Sequence, residues 1–219
     1  VDFNNEELVA RRWMVREEEL DDNQYQIKMM KMGDYLIDGC AGSGKTILAL
    51  QKAKQIQDLK LGTYLVIVYT HTLKSFIKDG IKSLNLDPDR VCNYDSLERK
   101  GFNSADYIIV DEIQDLQQHE INRLKEMANK NFIFFGDDAQ QLYGRRNNNI
   151  TLKQIQISTG IDNNNYKVLD KNYRLPQSIA RFAQSLHPDA GNLAVRCTKS
   201  TGEKPLVLKC ANDNEQLNY

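Results

Sequence analysis

Residues 35–46 read Tyr-Leu-Ile-Asp-Gly-Cys-Ala-Gly-Ser-Gly-Lys-Thr. An apolar run, Tyr35 to Ile37, ends in a glycine-rich loop that leads into Lys45 and Thr46. The spacing is G-x-x-x-x-G-K-[ST], the pattern of a phosphate loop. Gly39, Gly42 and Gly44 lack a Cβ, so backbone N–H groups can close around phosphate oxygens. Cys40, Ala41 and Ser43 complete the loop. In this pattern Lys45 reaches the β- and γ-phosphates, and the Thr46 hydroxyl ligates Mg²⁺. Ile47, Leu50, Ala53 and Ile56 follow at helical spacing, which would set the positive end of a helix dipole against the phosphates. The stretch therefore predicts a strand, a loop and a helix that together bind a nucleoside triphosphate.

Working outward, other apolar runs read as strands of the same kind. Thr63–Tyr69 is β-branched and aromatic, as buried parallel strands are. Tyr107–Val110 ends in the paired carboxylates Asp111 and Glu112. Beside a phosphate loop the first acid of such a pair reaches Mg²⁺, and the second is placed to orient and deprotonate water. Asn131–Phe135 repeats the design with Gly136 and Asp137, and Tyr166–Asp170 gives a further strand. Val91–Tyr94 reads as a short strand. Gln140 follows the second acidic strand end, where a side-chain amide can sense the γ-phosphate or its water. Tyr143, Arg145 and Arg146 place charge beside an aromatic ring, as grooves for single strands do.

Helices are expected over 4–20, after Thr46, from Leu73 to Leu84, from Ile113 to Ala128, from Ile150 to Thr159 with a cap among Asn147–Asn149, and after Pro176. Glu17 to Asp22 reads as the acidic end of the first. Lys74, Lys78 and Lys82 read as a solvated face. Strands alternating with helices predict an α/β fold, a doubly wound and mainly parallel sheet flanked by helices, with ligand at the carboxyl ends of the strands.

Composition narrows the class. The 219 residues are 41% hydrophobic and 27% charged, ordinary for a soluble globular chain. No apolar stretch is long enough to span a membrane, and the N-terminus lacks the apolar segment of a signal peptide. The four cysteines are scattered without metal-ligand spacing and read as reduced thiols, which points to a cytoplasmic location. A net charge of −1 means that any nucleic-acid surface must be a local basic stripe. Val1 and Tyr219 fall in mid-pattern, which suggests a piece of a longer protein.

Taken in order, the motifs resemble those of the UvrD/Rep-like superfamily-one DNA helicases. The matches are Leu20–Ile27 (the glutamine motif), Gly39–Thr46 (I), Tyr69–Leu73 (Ia), Val110–Leu116 reading V-D-E-I-Q-D-L (II), Gly136–Tyr143 reading G-D-D-A-Q-Q-L-Y (III) and Leu169–Arg174 reading L-D-K-N-Y-R (IV). The resemblance covers 20–186 and implies a RecA-like ATP-binding domain there, with 1–19 leading in and 187–219 starting a second RecA-like domain. It implies that Gln24 reads adenine and Tyr173 stacks on the base. Lys45 and Thr46 would hold phosphates and Mg²⁺, Asp111 would ligate Mg²⁺ through water, and Glu112 would be the base. Gln140 would link the γ-phosphate to the DNA site and Arg174 would contact the γ-phosphate. Tyr69, Thr70 and His71 would line the single-strand groove.

The pattern departs from that family in three places. Arg145 stands where an aromatic residue usually follows the tyrosine of motif III. The segment between motifs Ia and II is too short for the large accessory subdomain of many relatives. The last two motifs, which belong to the second RecA-like domain, are absent from these residues. The implied activity is ATP hydrolysis coupled to movement on single-stranded DNA, the 219 residues alone being weakly active or inactive. Three alternatives stand beside it. One is a DNA-dependent ATPase without unwinding, serving a nuclease, repair or defence complex. Another is a nucleotide switch or kinase with no nucleic-acid partner. The third is an RNA-directed relative, since no feature reports on the 2′-hydroxyl.

Overall fold

A computed structural model describes residues 17–69, 77–140, 150–186, 193–200 and 204–206. The chain divides into two compact units, Val1–Asp170 and Lys171–Tyr219. The division falls earlier than the boundary expected after Leu186.

The first unit is built on six strands: β1 (Tyr35–Gly39), β2 (Tyr64–Val68), β3 (Val91–Asn93), β4 (Ala105–Val110), β5 (Ala128–Gly136) and β6 (Tyr166–Leu169). They form one sheet in the order β3-β2-β4-β5-β1-β6, and every pairing is parallel. Its helices are α1 (Asp22–Met29), α2 (Lys45–Asp58), α3 (Lys78–Ser83), α4 (Gln118–Met127) and α5 (Leu152–Thr159).

The alternation of strand side chains divides the core into two layers. Ile37, Val66, Val68, Ile109, Ile133 and Phe135 face one way, against Ile27 of α1 and Leu48, Ala49, Ala53 and Ile56 of α2. Leu36, Leu65, Ile67, Ile108, Phe132 and Phe134 face the other way, against Ile121, Leu124 and Met127 of α4 and Leu152 and Ile155 of α5. The Phe132 and Phe134 rings stack with centroids 4.7 Å apart. A large apolar side chain so enclosed contributes roughly 1.5–3 kcal/mol. A sheet covered on both faces needs continuous apolar strands, which is why these runs are uninterrupted. The six strands, all parallel and flanked by helices, are the doubly wound architecture expected of the sequence.

Local signals correct several boundaries. Residues 1–16 lie outside the described residues, so of the stretch expected as a helix over 4–20 only 17–20 is described. Glu17–Glu19 form a 3-10 turn there. Asp21, read as the acidic tail of that helix, instead starts α1. Its carboxylate accepts from Gln24 N at 2.7 Å, and Gln24 Oε1 accepts from Asp21 N at 3.1 Å, a reciprocal capping box. The helix expected from Ile113 is broken. Ile113–Asp115 form a 3-10 turn, and a second capping box between Gln117 and Glu120 starts α4. Thr151, not the preceding asparagines, caps α5, paired with Gln154. Gly160 ends α5 in the left-handed conformation. Lys78 and Lys82 are exposed on α3.

The second unit holds β7 (Asn172–Pro176), α6 (Gln177–Leu186), α7 (Leu193–Arg196) and β8 (Cys197–Lys199). β7 and β8 form their own two-stranded parallel sheet. The stretch after Asp170, read as the end of a strand and the start of a helix, is therefore a separate strand. The Asn172 carboxamide accepts from Arg174 N and Leu175 N, both at 2.9 Å. Pro205–Cys210, an apolar run that reads as a strand, lies mostly outside the described residues.

Candidate nucleotide site

Parallel strands end together, so the residues that follow β1, β4 and β5 share one edge of the sheet. β5 pairs with both β1 and β4. This arrangement brings the glycine loop, the Asp111–Glu112 pair and the Asp137–Gln140 segment side by side.

The loop is tied down on both flanks. Cys40 N donates to Leu169 O of β6 at 3.2 Å. Gln24, only 5% exposed, donates from Nε2 to Ser43 O at 2.8 Å. Gly44 is the N-cap of α2 with φ of 90°, and a Cβ there would lie 2.7 Å from Gln24 Nε2. Glycine is thus required twice, by conformation and by contact. Both ends of the Gln24 amide are engaged within the chain, so reading adenine bidentately would require it to leave these partners.

Lys45 is 5% exposed. Its ammonium donates to Gly39 O at 2.5 Å and lies 3.5 Å from Cys40 O. The Thr46 hydroxyl donates to Asp111 Oδ2 at 2.6 Å. Asp111 is 1% exposed, and its other oxygen, Oδ1, is buried with no partner among the described residues. Ser43 Oγ in the loop is likewise buried and unpartnered. Burial, and then the neighbouring Glu112 charge, pushes the Asp111 carboxyl well above the usual carboxylate range. Thr46 and Lys45 pull it back only in part. A buried, half-satisfied carboxylate beside a hydroxyl is the kind of donor set a hard cation completes. No group of three or more metal-ligating side chains occurs among the described residues.

Glu112 is half-buried in the left-handed region, φ 58° and ψ 48°, a conformation that costs a non-glycine residue roughly 1–2 kcal/mol. Gln114 Nε2 donates to Glu112 Oε2 at 2.8 Å. The Asp137 carboxylate accepts from Ala139 N at 3.0 Å and from Gln140 Nε2 at 2.5 Å. Asp38, at the end of β1, accepts from the Tyr166 hydroxyl at 2.8 Å. Its carboxyl is raised, first by burial, and Asp137 and Asp138 add to the rise.

The structure thus gathers Gln24, Gly39, Cys40, Ala41, Gly42, Ser43, Gly44, Lys45, Thr46, Asp111, Glu112 and Gln140 at one end of the first sheet. Tyr69 ends β2. Tyr173 and Arg174 lie on β7 of the second unit. Thr70, His71, Tyr143, Arg145 and Arg146 lie outside the described residues. Sequence reading gave no separate role to Gln114, Lys52 or Asp38. Lys52 had a readable signal, since it falls on the same helical stripe as Leu48, Ala49, Ala53 and Ile56. Gln114 and Asp38 find their partners only through the fold.

No match to the sequence is found among curated proteins. Two solved structures resemble the chain. One is the helicase nonstructural protein 10 of an arterivirus, in complex with DNA, at TM-score 0.52 and 12% identity over 87% of this chain and 46% of that one. The other is the Pif1 helicase of Candida albicans, at TM-score 0.51 and 16% identity over 91% of this chain and 46% of that one. The chain spans about half the length of these proteins, and at such identities the likeness speaks for the RecA-like fold. A family model for the viral superfamily 1 RNA helicase core domain matches residues 35–215. The chain belongs to that superfamily 1 helicase core family.

Proposed function

We propose that this chain is the ATP-hydrolysing part of a motor that moves along single-stranded nucleic acid, and that it uses DNA as UvrD/Rep-like enzymes do. The observation that carries the hydrolytic reading is Asp111. Its buried carboxylate has one oxygen held by Thr46 and one without a partner, at the mouth of a phosphate loop. The six motifs in UvrD/Rep order support the motor reading.

Bound ATP supplies the phosphoanhydride, and Mg²⁺ neutralises charge on its phosphates. The protein's part is positioning and proton transfer. Lys45, held at present by the carbonyls of Gly39 and Cys40, exchanges those oxygens for phosphate oxygens. The backbone N–H groups at the end of the loop and the start of α2 orient the phosphates. Thr46 Oγ1 and the Asp111 carboxylate would hold Mg²⁺, Asp111 through water as its motif implies. The Glu112 carboxylate accepts a proton from the attacking water, and Gln140 senses the phosphate end. Tyr173 and Arg174 keep the roles their motif implies, base stacking and contact with the γ-phosphate.

A second reading has its own observation. The matching family is described by RNA, which favours an RNA strand over DNA in the same chemistry. Steady-state ATP hydrolysis by the full-length protein, with no strand, with single-stranded DNA and with single-stranded RNA, separates them. The expected result is strong stimulation by DNA. Stimulation by RNA alone selects the second reading, and turnover indifferent to both leaves a nucleotide switch. Strand displacement then separates an unwinding motor from an ATPase that only translocates.

A further inference from the structure

Gln114 is 1% exposed and lies two residues beyond Glu112, in the 3-10 turn after β4. Its amide is used at both ends. Nε2 donates to Glu112 Oε2 at 2.8 Å, and Oε1 accepts from Asp137 N at 3.0 Å. Asp137 begins the segment that carries Gln140, whose amide is bonded back to the Asp137 carboxylate at 2.5 Å and whose N–H reaches Asp137 O at 3.1 Å. One buried amide therefore joins the candidate base to the candidate phosphate sensor. The geometry leaves it little freedom. A Cβ on Gly136 would lie 2.8 Å from Ile113 Cγ2 and 3.0 Å from Gln114 Oε1, so the β5 end closes directly over the turn. Glu112 sits in a left-handed backbone conformation that the surroundings must hold.

We propose that Gln114 is a positioning residue that aims the Glu112 carboxylate and sets its place according to the backbone of the 137–140 segment. A shift of that segment moves Asp137 N, the Gln114 amide follows its acceptor bond, and the donor bond carries the movement to Glu112. This rests on the reading of Glu112 as the base.

Two variants of the full-length protein test it, alongside Glu112→Gln. Gln114→Met keeps length and loses both bonds. Gln114→Glu keeps an oxygen for Asp137 N and sets a second carboxyl against Glu112 in place of the N–H, and a urea unfolding midpoint for each variant shows that it folds. In both, kcat should fall about 10–100-fold while affinity for a fluorescent ATP analogue stays within about threefold. Combining Gln114→Met with Gln140→Ala should lower kcat little further than the worse single variant, because the two act through one chain of bonds. Unchanged kcat in both Gln114 variants, a fall in affinity without one in kcat, or multiplicative losses with Gln140→Ala would overturn the proposal and leave the base assignment standing. Turnover that survives Glu112→Gln would overturn both.

Discussion

Two lysines of α2, about two turns apart, are both buried, and the contrast between them separates the cation proposed to meet phosphate from a structural one. Lys52 is 0% exposed and its ammonium is saturated: Lys28 O at 2.9 Å, Met30 O at 2.7 Å and Gln55 Oε1 at 3.1 Å take its three donors. Two of these acceptors are carbonyls at the end of α1, where orphan carbonyls and the negative end of the dipole favour a cation. Lys45, at the start of the same helix, holds one close carbonyl and one at 3.5 Å, both from the loop it serves. Burial is common to the two. What differs is spare bonding capacity, and only Lys45 has donors to give a ligand.

The largest test of this contrast is on turnover. Lys45→Met should lower ATP hydrolysis by at least roughly 10²–10³-fold, the cost of losing a donor aimed at developing charge. Its urea unfolding midpoint should move by less than about 1 kcal/mol equivalent. Lys52→Met should leave turnover within about threefold. Normal hydrolysis in Lys45→Met would break the contrast outright. Next comes Glu112→Gln, with turnover lower by about 10²–10⁴-fold and nucleotide affinity kept. Rapid hydrolysis in that variant would remove Glu112 as the base. A smaller effect is expected on stability from Gly44→Ala, which forces a side chain into the left-handed region and against the Gln24 amide. A loss of about 1–2 kcal/mol in urea unfolding should result. No loss would mean that the start of α2 adjusts freely and that Lys45 is not held in place by the loop.

Much of this arrangement was legible because buried parallel strands leave an unambiguous trace. Tyr64–Val68, Ala105–Val110 and Phe132–Phe135 are near-continuous apolar runs, and each ends where chemistry begins. The glycine loop and the acids after β4 are fixed by local spacing. What escaped depends on partners distant in sequence. β7 separates from the first sheet because its neighbour is Cys197–Lys199, a short polar strand with no periodic signal. The amide of Gln114 is explained only by Asp137, 23 residues on. The start of α1 was misread although Asp21-x-x-Gln24 is a capping pattern, because the acidic cluster around it reads equally well as a helix end. The same glutamine shows how a motif and its local role compete, since the cap and Ser43 O occupy the amide that the resemblance gives to adenine.

The finest test of the two lysines uses pH. Burial, and then the like charge of Lys28, lowers the Lys52 ammonium to about 8 from an ordinary 10.5. An unfolded chain keeps this proton up to about 10.5, whereas the native chain releases it near 8. Between those values the unfolded state binds more protons, so stability must rise with pH and level off above the window. Below pH 8 both states are protonated, and the penalty for burying the charge is present in full. At about 1.36 kcal/mol per unit the upper limit is about 3 kcal/mol. A gain of about 1–2 kcal/mol is expected, because the neutral amine gives up a donor to Lys28 O, Met30 O or Gln55. Lys52→Met has no such group, so other titrations cancel in the difference between the two proteins. Urea unfolding of both at pH 7.5, 9 and 10 should show the native protein gaining on the variant as pH rises. Parallel curves would mean that Lys52 is paired well enough to keep its proton. Saturation of its three donors would then fully offset burial, and spare bonding capacity would be a sharper mark of function than any shift in titration.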